Sequence, residues 1–73
     1  MQEQTVDYYK IISANIKKLR LANKQSQERF AEIIGCSREY VSRLENNREK
    51  ISLAMLIKIS KIYNSKPQLF FNV

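Results

Sequence analysis

Four polar side chains at helical spacing lie in the middle of the chain: Arg38, Glu39, Ser42 and Arg43. Residues four positions apart lie on the same side of an α-helix, and the apolar Val41 and Leu44 would occupy the opposite, inward side. An exposed arginine can donate two hydrogen bonds to guanine O6 and N7, whereas a glutamate can accept one from cytosine N4. Such a helix face would have the hydrogen-bond donors and acceptors needed to read base edges in the major groove of double-stranded DNA.

A solvated charged surface is the alternative interpretation of these side chains. Glu39 either accepts a hydrogen bond from a base or pairs with Arg43, one helical turn later. Arg43 itself reaches either a base or a phosphate. Tyr40 either donates its hydroxyl to a DNA phosphate while its ring lies against the core, or only packs there.

Two short helices and the joints around them must position this face. A helix from Gln27 to about Ile34 is predicted to end at Gly35, since glycine adopts a left-handed conformation without steric cost. The third helix follows closely, from Arg38 to about Asn46. Serines that can cap helix N-termini precede the second, third and fourth helices: Ser26, Ser37 and Ser52.

Further helices are predicted on both sides of this pair. The first begins after a capping Asp7, ends near Asn23 and carries the apolar stripe Tyr9, Ile12, Ile16 and Leu19. The fourth carries the stripe Leu53, Leu56, Ile59 and Tyr63. Pro67 suits the first turn of a short fifth helix that ends near Phe71. Residues 1–6 are predicted to be a flexible N-terminus and residues 7–73 to form one domain.

The composition favours an all-α domain and argues against catalysis. One glycine and one proline among 73 residues are few for a small β-sheet protein. With no histidine and a single cysteine, Cys36, we expect no internal disulfide, no metal site and no cofactor. The sequence has no glycine-rich phosphate loop and no paired acids beside a nucleophile, so we expect that the protein is not an enzyme.

The net charge of +6 indicates a polyanionic partner. Nucleic acid and an anionic membrane surface both fit the charge, but an amphipathic helix in a multi-helix domain ordinarily faces the core. The N-terminal residues lack the apolar stretch of a signal peptide, and no apolar run is long enough to span a bilayer. We therefore expect a cytoplasmic protein that binds double-stranded DNA, with no membrane partner and no small-molecule ligand.

The segment from Gln27 to Glu45 carries the pattern of a known family: QERFAEIIGCSREYVSRLE. It has a small residue at Ala31, a glycine at Gly35, and apolar residues at Phe30, Ile34, Val41 and Leu44. In this spacing the chain, from about residue 12 to residue 70, resembles the Cro/C1-type (XRE family) helix-turn-helix transcriptional regulators. The resemblance implies a compact five-helix, lambda-repressor-like domain, and it is strongest toward the controller proteins of restriction-modification operons.

The resemblance also implies roles for residues outside the predicted reading helix. Gln27 would hold a DNA phosphate at the start of the second helix. Asn46 and Arg48 lie where the family has a loop that contacts phosphates. Arg20 and Glu45 would form a buried ion pair between the first and third helices. In similar proteins, the positions of Arg38, Glu39, Ser42 and Arg43 read the bases.

Two residues of the first joint depart from the family pattern. Lys24 replaces a common glycine, and Gln25 replaces the apolar residue that usually precedes the capping serine. The joint is therefore predicted to lack the left-handed glycine and the hydrophobic contact that usually close it. This departure concerns the geometry of that loop and not the reading helix.

The C-terminal residues predict a dimer. One reading helix contacts too few base pairs for useful specificity, and members of this class pair about a two-fold axis with their helices ~34 Å apart. Two adjacent phenylalanines cannot both face a small core, so the candidate interface is Leu69, Phe70 and Phe71. We expect a homodimer that acts as a repressor or autoregulator on a palindromic operator. The alternative is an antitoxin-type regulator whose C-terminal region binds a toxin protein.

Overall fold

The computed structural model describes residues 7–73, which form four α-helices followed by one short 3₁₀ helix. These are α1 (Tyr8–Ala22), α2 (Gln27–Ile34), α3 (Arg38–Glu45), α4 (Leu53–Ile62) and the 3₁₀ helix (Pro67–Phe71). No strand occurs in this range, so the predicted all-α class is confirmed. None of these helices combines the length and apolar character needed to cross a membrane. The predicted flexible N-terminus, residues 1–6, lies outside the described residues.

Each α-helix begins at a side chain that accepts a hydrogen bond from the backbone N–H three residues later. Asp7 Oδ1 accepts from Lys10 N at 3.1 Å. The three serines behave in the same way: Ser26 with Arg29 N at 3.0 Å, Ser37 with Tyr40 N at 3.0 Å and Ser52 with Met55 N at 3.1 Å. Each cap satisfies an N–H group that a helix start leaves unpaired, and stabilises the helix by about 1 kcal/mol. The predicted caps are thereby confirmed.

All four α-helices are followed by a residue in the left-handed conformation. The φ angles of these residues are 56° at Lys24, 75° at Gly35, 58° at Asn47 and 52° at Asn64. In each case the next backbone N–H donates to the carbonyl five residues before it, which closes the helix end. Glycine and asparagine tolerate this conformation well, whereas a lysine does so at a cost of roughly 1–2 kcal/mol.

The first joint keeps this geometry although it has no glycine. Gln25 N donates to Arg20 O at 3.1 Å, as a glycine-containing joint would do. The side chain of Gln25 accepts a hydrogen bond from the Tyr63 hydroxyl at 2.6 Å, so a polar contact to the end of α4 replaces the usual hydrophobic one. The Tyr63 ring in turn stacks on Phe30, with 5.6 Å between ring centroids. These tertiary contacts stabilise the left-handed conformation of Lys24.

The core lies between all the helices and is apolar: Ile12, Ile16, Phe30, Ala31, Ile34, Val41, Leu44, Ile51, Leu56, Ile59 and Phe70. Four of the eight residues of the two predicted stripes are among them, and Leu19 and Tyr63 are partly buried and pack against the core. The remaining two are exposed, Tyr9 to 44% and Leu53 to 70%. Each lies in the first turn of its helix, which extends past the neighbouring elements. The prediction that these two side chains are buried was wrong.

The C-terminal segment, predicted as a short fifth helix from Pro67 to about Phe71, packs against α1 and is a 3₁₀ helix. Asn15 Nδ2 of α1 donates to the backbone oxygens of Phe70 and Asn72, both at 2.8 Å. With five residues, the segment is slightly longer than most 3₁₀ helices, which rarely exceed about three or four residues. The anchoring places the Phe70 ring in the core, where it is 4% exposed.

Candidate nucleic-acid interface

One side of α3 is buried and the other faces solvent. Val41 and Leu44 are fully buried in the core. The predicted base-reading residues lie on the remaining surface, with side-chain exposures of 53% for Arg38, 67% for Glu39 and 50% for Arg43. Ser42, between them, is half-buried. We call the outward surface formed by Arg38, Glu39, Ser42 and Arg43 the reading face.

A tight turn after α2 sets the orientation of α3. Gly35 has a φ of 75°, and Cys36 N donates to Ala31 O at 2.9 Å. The small Ala31 is 2% exposed, which allows the close contact between α2 and α3. A side chain at position 35 would add strain, because only glycine adopts this φ without steric cost. The Lys58 ammonium also lies over the turn, 2.9 Å from where a Cβ atom would be.

Arg20 and Glu45 join α1 to the end of α3 through a buried ion pair. Arg20 Nε donates to Glu45 Oε2 at 2.7 Å, and Arg20 Nη2 donates to Glu45 Oε1 at 3.0 Å. Arg20 Nη1 donates to Gln25 O at 2.8 Å. The two side chains are only 10% and 3% exposed. The hydrogen bonds that Arg20 donates to the Glu45 carboxylate raise the pKa of the Arg20 guanidinium, although burial acts in the opposite direction, so Arg20 stays protonated.

Gln27 takes part in the same network. Its Nε2 donates to Glu45 Oε1 at 3.1 Å, and the residue is half-buried. Because a primary amide has two N–H donors, one remains for another acceptor. The resemblance assigned Gln27 to a phosphate. The structure adds that its side chain also orients the carboxylate at the end of α3.

The two reading-face arginines form different ion pairs. Arg38 Nη2 lies 3.8 Å from Glu39 Oε2, which is too long for a hydrogen bond. Arg43 Nε donates to Glu49 Oε1 at 3.2 Å. The suggested pair between Glu39 and Arg43 is therefore absent from the described residues, since the loop after α3 brings Glu49 closer. Both arginines remain about half exposed, so neither is sequestered by its partner.

The other predicted phosphate contacts surround the reading face. Tyr40 is half-buried and packs against the core. Burial, with the Glu49 carboxylate as a smaller cause, raises the pKa of the Tyr40 phenol, so its hydroxyl keeps the proton that a phosphate contact would need. Asn46 Nδ2 donates to Ser42 O at 2.9 Å, which leaves one amide hydrogen. Arg48 is exposed in the loop that follows.

The predicted interface residues do not share one environment. Leu69 and Phe71 are 52% and 40% exposed, whereas Phe70 lies in the core. The assignment of Phe70 to a dimer interface is therefore corrected, because α1 holds this stretch of backbone with the ring inward. Phe71 instead lines an apolar groove of about 370 Å³: Tyr8, Tyr9, Ile12, Ile51, Ser52, Leu53, Leu56 and Phe71. We refer to these residues as the apolar groove.

Reasoning from the sequence missed Glu49 and the groove. Glu49 lies in a loop with no helical period, six residues after Arg43, and no spacing rule connects the two positions. The groove combines the N-terminal turns of α1 and α4 with the C-terminal segment, so its members are far apart in the sequence. The available signal was that Tyr9 and Leu53 lie in the first turns of α1 and α4, since a first turn often extends beyond its packing partners.

The structure also describes the environment of the single cysteine. Cys36 is half-buried beside the core, and burial raises the pKa of its thiol despite the opposing charge of Lys58. A protonated thiol of this kind packs as a small apolar group. In the part of the chain that the structure describes, no three His, Cys, Asp or Glu side chains are grouped as metal ligands.

Comparison with known proteins identifies the family. A family model described as Helix-turn-helix (HTH_3) matches residues 16–70. Control protein C.SmaI of Serratia marcescens is 35% identical over 60 residues, which cover 82% of this chain and 71% of that protein. The matched region includes α2, α3 and the loop after α3.

Two solved structures have the same fold. The restriction-modification controller protein C.AhdI of Aeromonas hydrophila is 28% identical, with a TM-score of 0.77 over 90% of this chain and all of that one (100%). The hypothetical transcription factor NHTF of Neisseria has a TM-score of 0.82 and 24% identity, over 99% of this chain and 85% of that one. The resemblance inferred from the sequence is confirmed: this chain belongs to the XRE-type helix-turn-helix family of DNA-binding transcription regulators.

Proposed function

We propose that this protein is a sequence-specific regulator that binds a palindromic operator as a homodimer and represses or autoregulates transcription. The observation that carries the proposal is the exposed reading face, which the buried Val41 and Leu44 hold outward from the core. An α-helix such as α3 is about 10–12 Å in diameter with its side chains, and the major groove is about 12 Å wide. The helix therefore has suitable dimensions to enter the groove along its reading face.

In this proposal the side chains of the reading face contact bases, and the side chains around it contact phosphates. Arg38, in the first turn of α3, donates its two-pronged guanidinium to a guanine, and Arg43 contacts a base about one turn later. Glu39 and Ser42 complete the base contacts. Gln27, Tyr40, Asn46 and Arg48 hold backbone phosphates and so fix the position of α3 in the groove. The buried ion pair between Arg20 and Glu45 keeps α3 in place.

Replacing Arg38 by alanine tests this assignment. We expect Arg38→Ala to weaken binding to the preferred duplex, recovered from a randomised pool, by about 1–3 kcal/mol, or roughly 5- to 150-fold. A repeated selection should show relaxed preference at one position of each half-site. Arg29→Ala is the matched control, because it removes the same charge from an exposed arginine of α2. If Arg38→Ala weakened binding equally to every DNA sequence, Arg38 would contact a phosphate and not a base.

The homodimer is supported by the apolar surface that the monomer leaves uncovered. Phe71 is 40% exposed in the apolar groove, which also includes Leu53, 70% exposed, and Leu69 is 52% exposed in the same 3₁₀ helix as Phe71. Apolar patches of this kind mark protein interfaces. A two-fold pairing of this surface would present two reading faces to successive turns of one DNA face.

Substitution of the exposed apolar residues tests the pairing. We expect Leu69→Ser combined with Phe71→Ser to give a folded monomer in sedimentation equilibrium. Phe70 is left unchanged, because truncating a buried phenylalanine costs about 3–5 kcal/mol of stability. Leu21→Ser is the control, since Leu21 is 54% exposed on α1 and does not line the groove. A variant that keeps the dimer mass would place the interface elsewhere, and a monomeric wild type would favour the toxin-binding alternative.

A further inference from the structure

Glu49 is an acidic residue held beside the reading face by a well-defined loop. On its N-terminal side, Asn47 is left-handed with a φ of 58°, and Arg48 N donates to Arg43 O at 2.8 Å. On its C-terminal side, Ile51 is buried in the core, 7% exposed. The backbone is therefore fixed on both sides of Glu49. Its carboxylate occupies a set position relative to α3, unlike that of a residue in a free loop.

This carboxylate accepts a hydrogen bond from Arg43 Nε, the guanidinium nitrogen closest to the backbone. The contact joins Arg43 Nε to Glu49 Oε1 at 3.2 Å, and the side chains are 50% and 34% exposed. No hydrogen-bond acceptor for either Nη group of Arg43 is found within residues 7–73. Arg20 differs, since all three of its guanidinium nitrogens donate to groups inside the protein. Arg43 is thus held by one nitrogen and keeps the two that form a bidentate fork.

The charge of Glu49 adds a second effect. A phosphate that approached Arg43 would also approach this carboxylate, and the two negative charges repel. A guanine edge carries no net charge, so its O6 and N7 atoms can accept from Arg43 with much less repulsion. Glu49 therefore disfavours contact with the DNA backbone at any sequence more strongly than contact with a base.

We propose that Glu49 is a positioning residue for sequence discrimination, which orients the fork of Arg43 toward a base and opposes its use on phosphates. This inference rests on the proposed function, because it names the residue that sets the specificity of the same reading face. Neutralising the carboxylate and shortening it should have different consequences, since only the first removes the repulsion. Both weaken the hold on Arg43 Nε, because a glutamine amide oxygen is an uncharged acceptor and an aspartate carboxylate is one methylene farther away.

Binding of Glu49→Gln to two DNA probes tests the inference. The probes are the duplex that the wild-type chain selects from a randomised pool and a mixed-sequence duplex of the same length. We expect the affinity of Glu49→Gln for the mixed-sequence duplex to rise several-fold at low salt. We expect the ratio of selected to mixed-sequence affinity to fall about tenfold for each half-site, the size of one lost bidentate base contact per subunit. A repeated selection should lose preference at one position per half-site.

Glu49→Asp separates position from charge. It keeps the carboxylate but is one methylene shorter, so it withdraws from Arg43 Nε. We expect its mixed-sequence affinity to stay within about twofold of the wild type while its affinity ratio falls as in Glu49→Gln. Glu32→Gln is the matched control, because it neutralises an exposed glutamate that pairs with Arg29 at 3.4 Å on α2. Thermal melting of each variant, followed by circular dichroism, checks that the helices remain folded.

Two results would overturn the inference. An unchanged affinity ratio in Glu49→Asp would show that Glu49 has no positioning role. If Glu32→Gln lowered the ratio of selected to mixed-sequence affinity by the same factor, the effect of Glu49→Gln would come only from the change in net charge. If the wild-type chain itself showed no preference for any duplex, the proposed function of sequence-specific binding would be contradicted. If the wild type discriminates between sequences and the Glu49 variants discriminate equally well, only the role of Glu49 fails.

Discussion

Glu45→Ala should lower the free energy of unfolding by about 3–5 kcal/mol, because it leaves the Arg20 guanidinium buried without its counter-charge. Arg20 is 8% exposed, and both of its contacts to the Glu45 carboxylate would be lost. Gln27 would also lose its acceptor. A domain of 73 residues is typically stable by only ~4–11 kcal/mol, so this loss is a large fraction of the total stability. Urea unfolding followed by circular dichroism measures it.

The comparison pair for this experiment is the exposed one between Arg29 and Glu32, whose side chains are both 64% exposed. We expect Glu32→Ala to change stability by less than about 0.5 kcal/mol, since solvent screens an exposed pair. Arg20→Met combined with Glu45→Leu should recover most of the lost stability, because no charge is then left unpaired in the interior. Equal effects of Glu45→Ala and Glu32→Ala would show that the buried position of the first pair makes no difference.

DNA affinity should fall steeply as salt rises, because each exposed arginine that enters the groove brings a positive charge close to the phosphates and displaces counterions about as one neutralised phosphate does, whether it contacts a base or a phosphate. Arg38, Arg43 and Arg48 are exposed in each chain, which makes about six cations per dimer. At ~0.9 per neutralised phosphate, the slope of log K against log salt should be about −5. Affinity should then drop roughly 10³-fold between low and physiological salt. Fluorescence anisotropy of a labelled duplex at several salt concentrations provides the measurement.

Arg48→Ala identifies the loop contribution to this slope. Removing one phosphate contact from each subunit should make the slope shallower by about 2. Lys61→Ala removes the same charge from the last turn of α4, away from α3 and its following loop, and we expect its slope to match the wild type. A nearly flat salt response in the wild-type chain would contradict DNA binding. If Arg48→Ala and Lys61→Ala changed the slope equally, Arg48 would not contact a phosphate.

Local chemistry explains why much of the backbone could be predicted. The caps at Asp7, Ser26, Ser37 and Ser52 bond to an N–H three residues away, so the required partner is always supplied by the next turn. Gly35 follows the same logic, since the turn needs a conformation that only glycine adopts freely. Buried stripes were also predictable wherever a helix packs along its middle, as at Ile12 and Leu56.

Contacts between distant residues explain what could not be predicted. The left-handed Lys24 depends on Tyr63, which is 39 positions away and donates to its neighbour Gln25. The amide of Asn15 holds the backbone around Phe70, which puts that ring in the core and leaves Phe71 exposed. Adjacent phenylalanines look equivalent in a sequence, so only the docking of the segment onto α1 distinguishes them.

The sequence by itself determined the helical class, the positions where the helices begin, and the set of polar residues on the outer side of α3. Each of these depends on interactions within one or two helical turns or on a pattern shared across a family. Tertiary structure alone decided that Arg43 pairs with Glu49 and not with Glu39, and which C-terminal ring is available to a partner. Those outcomes depend on how loops and segments pack in space, and the energies of such contacts are not encoded by spacing along the chain.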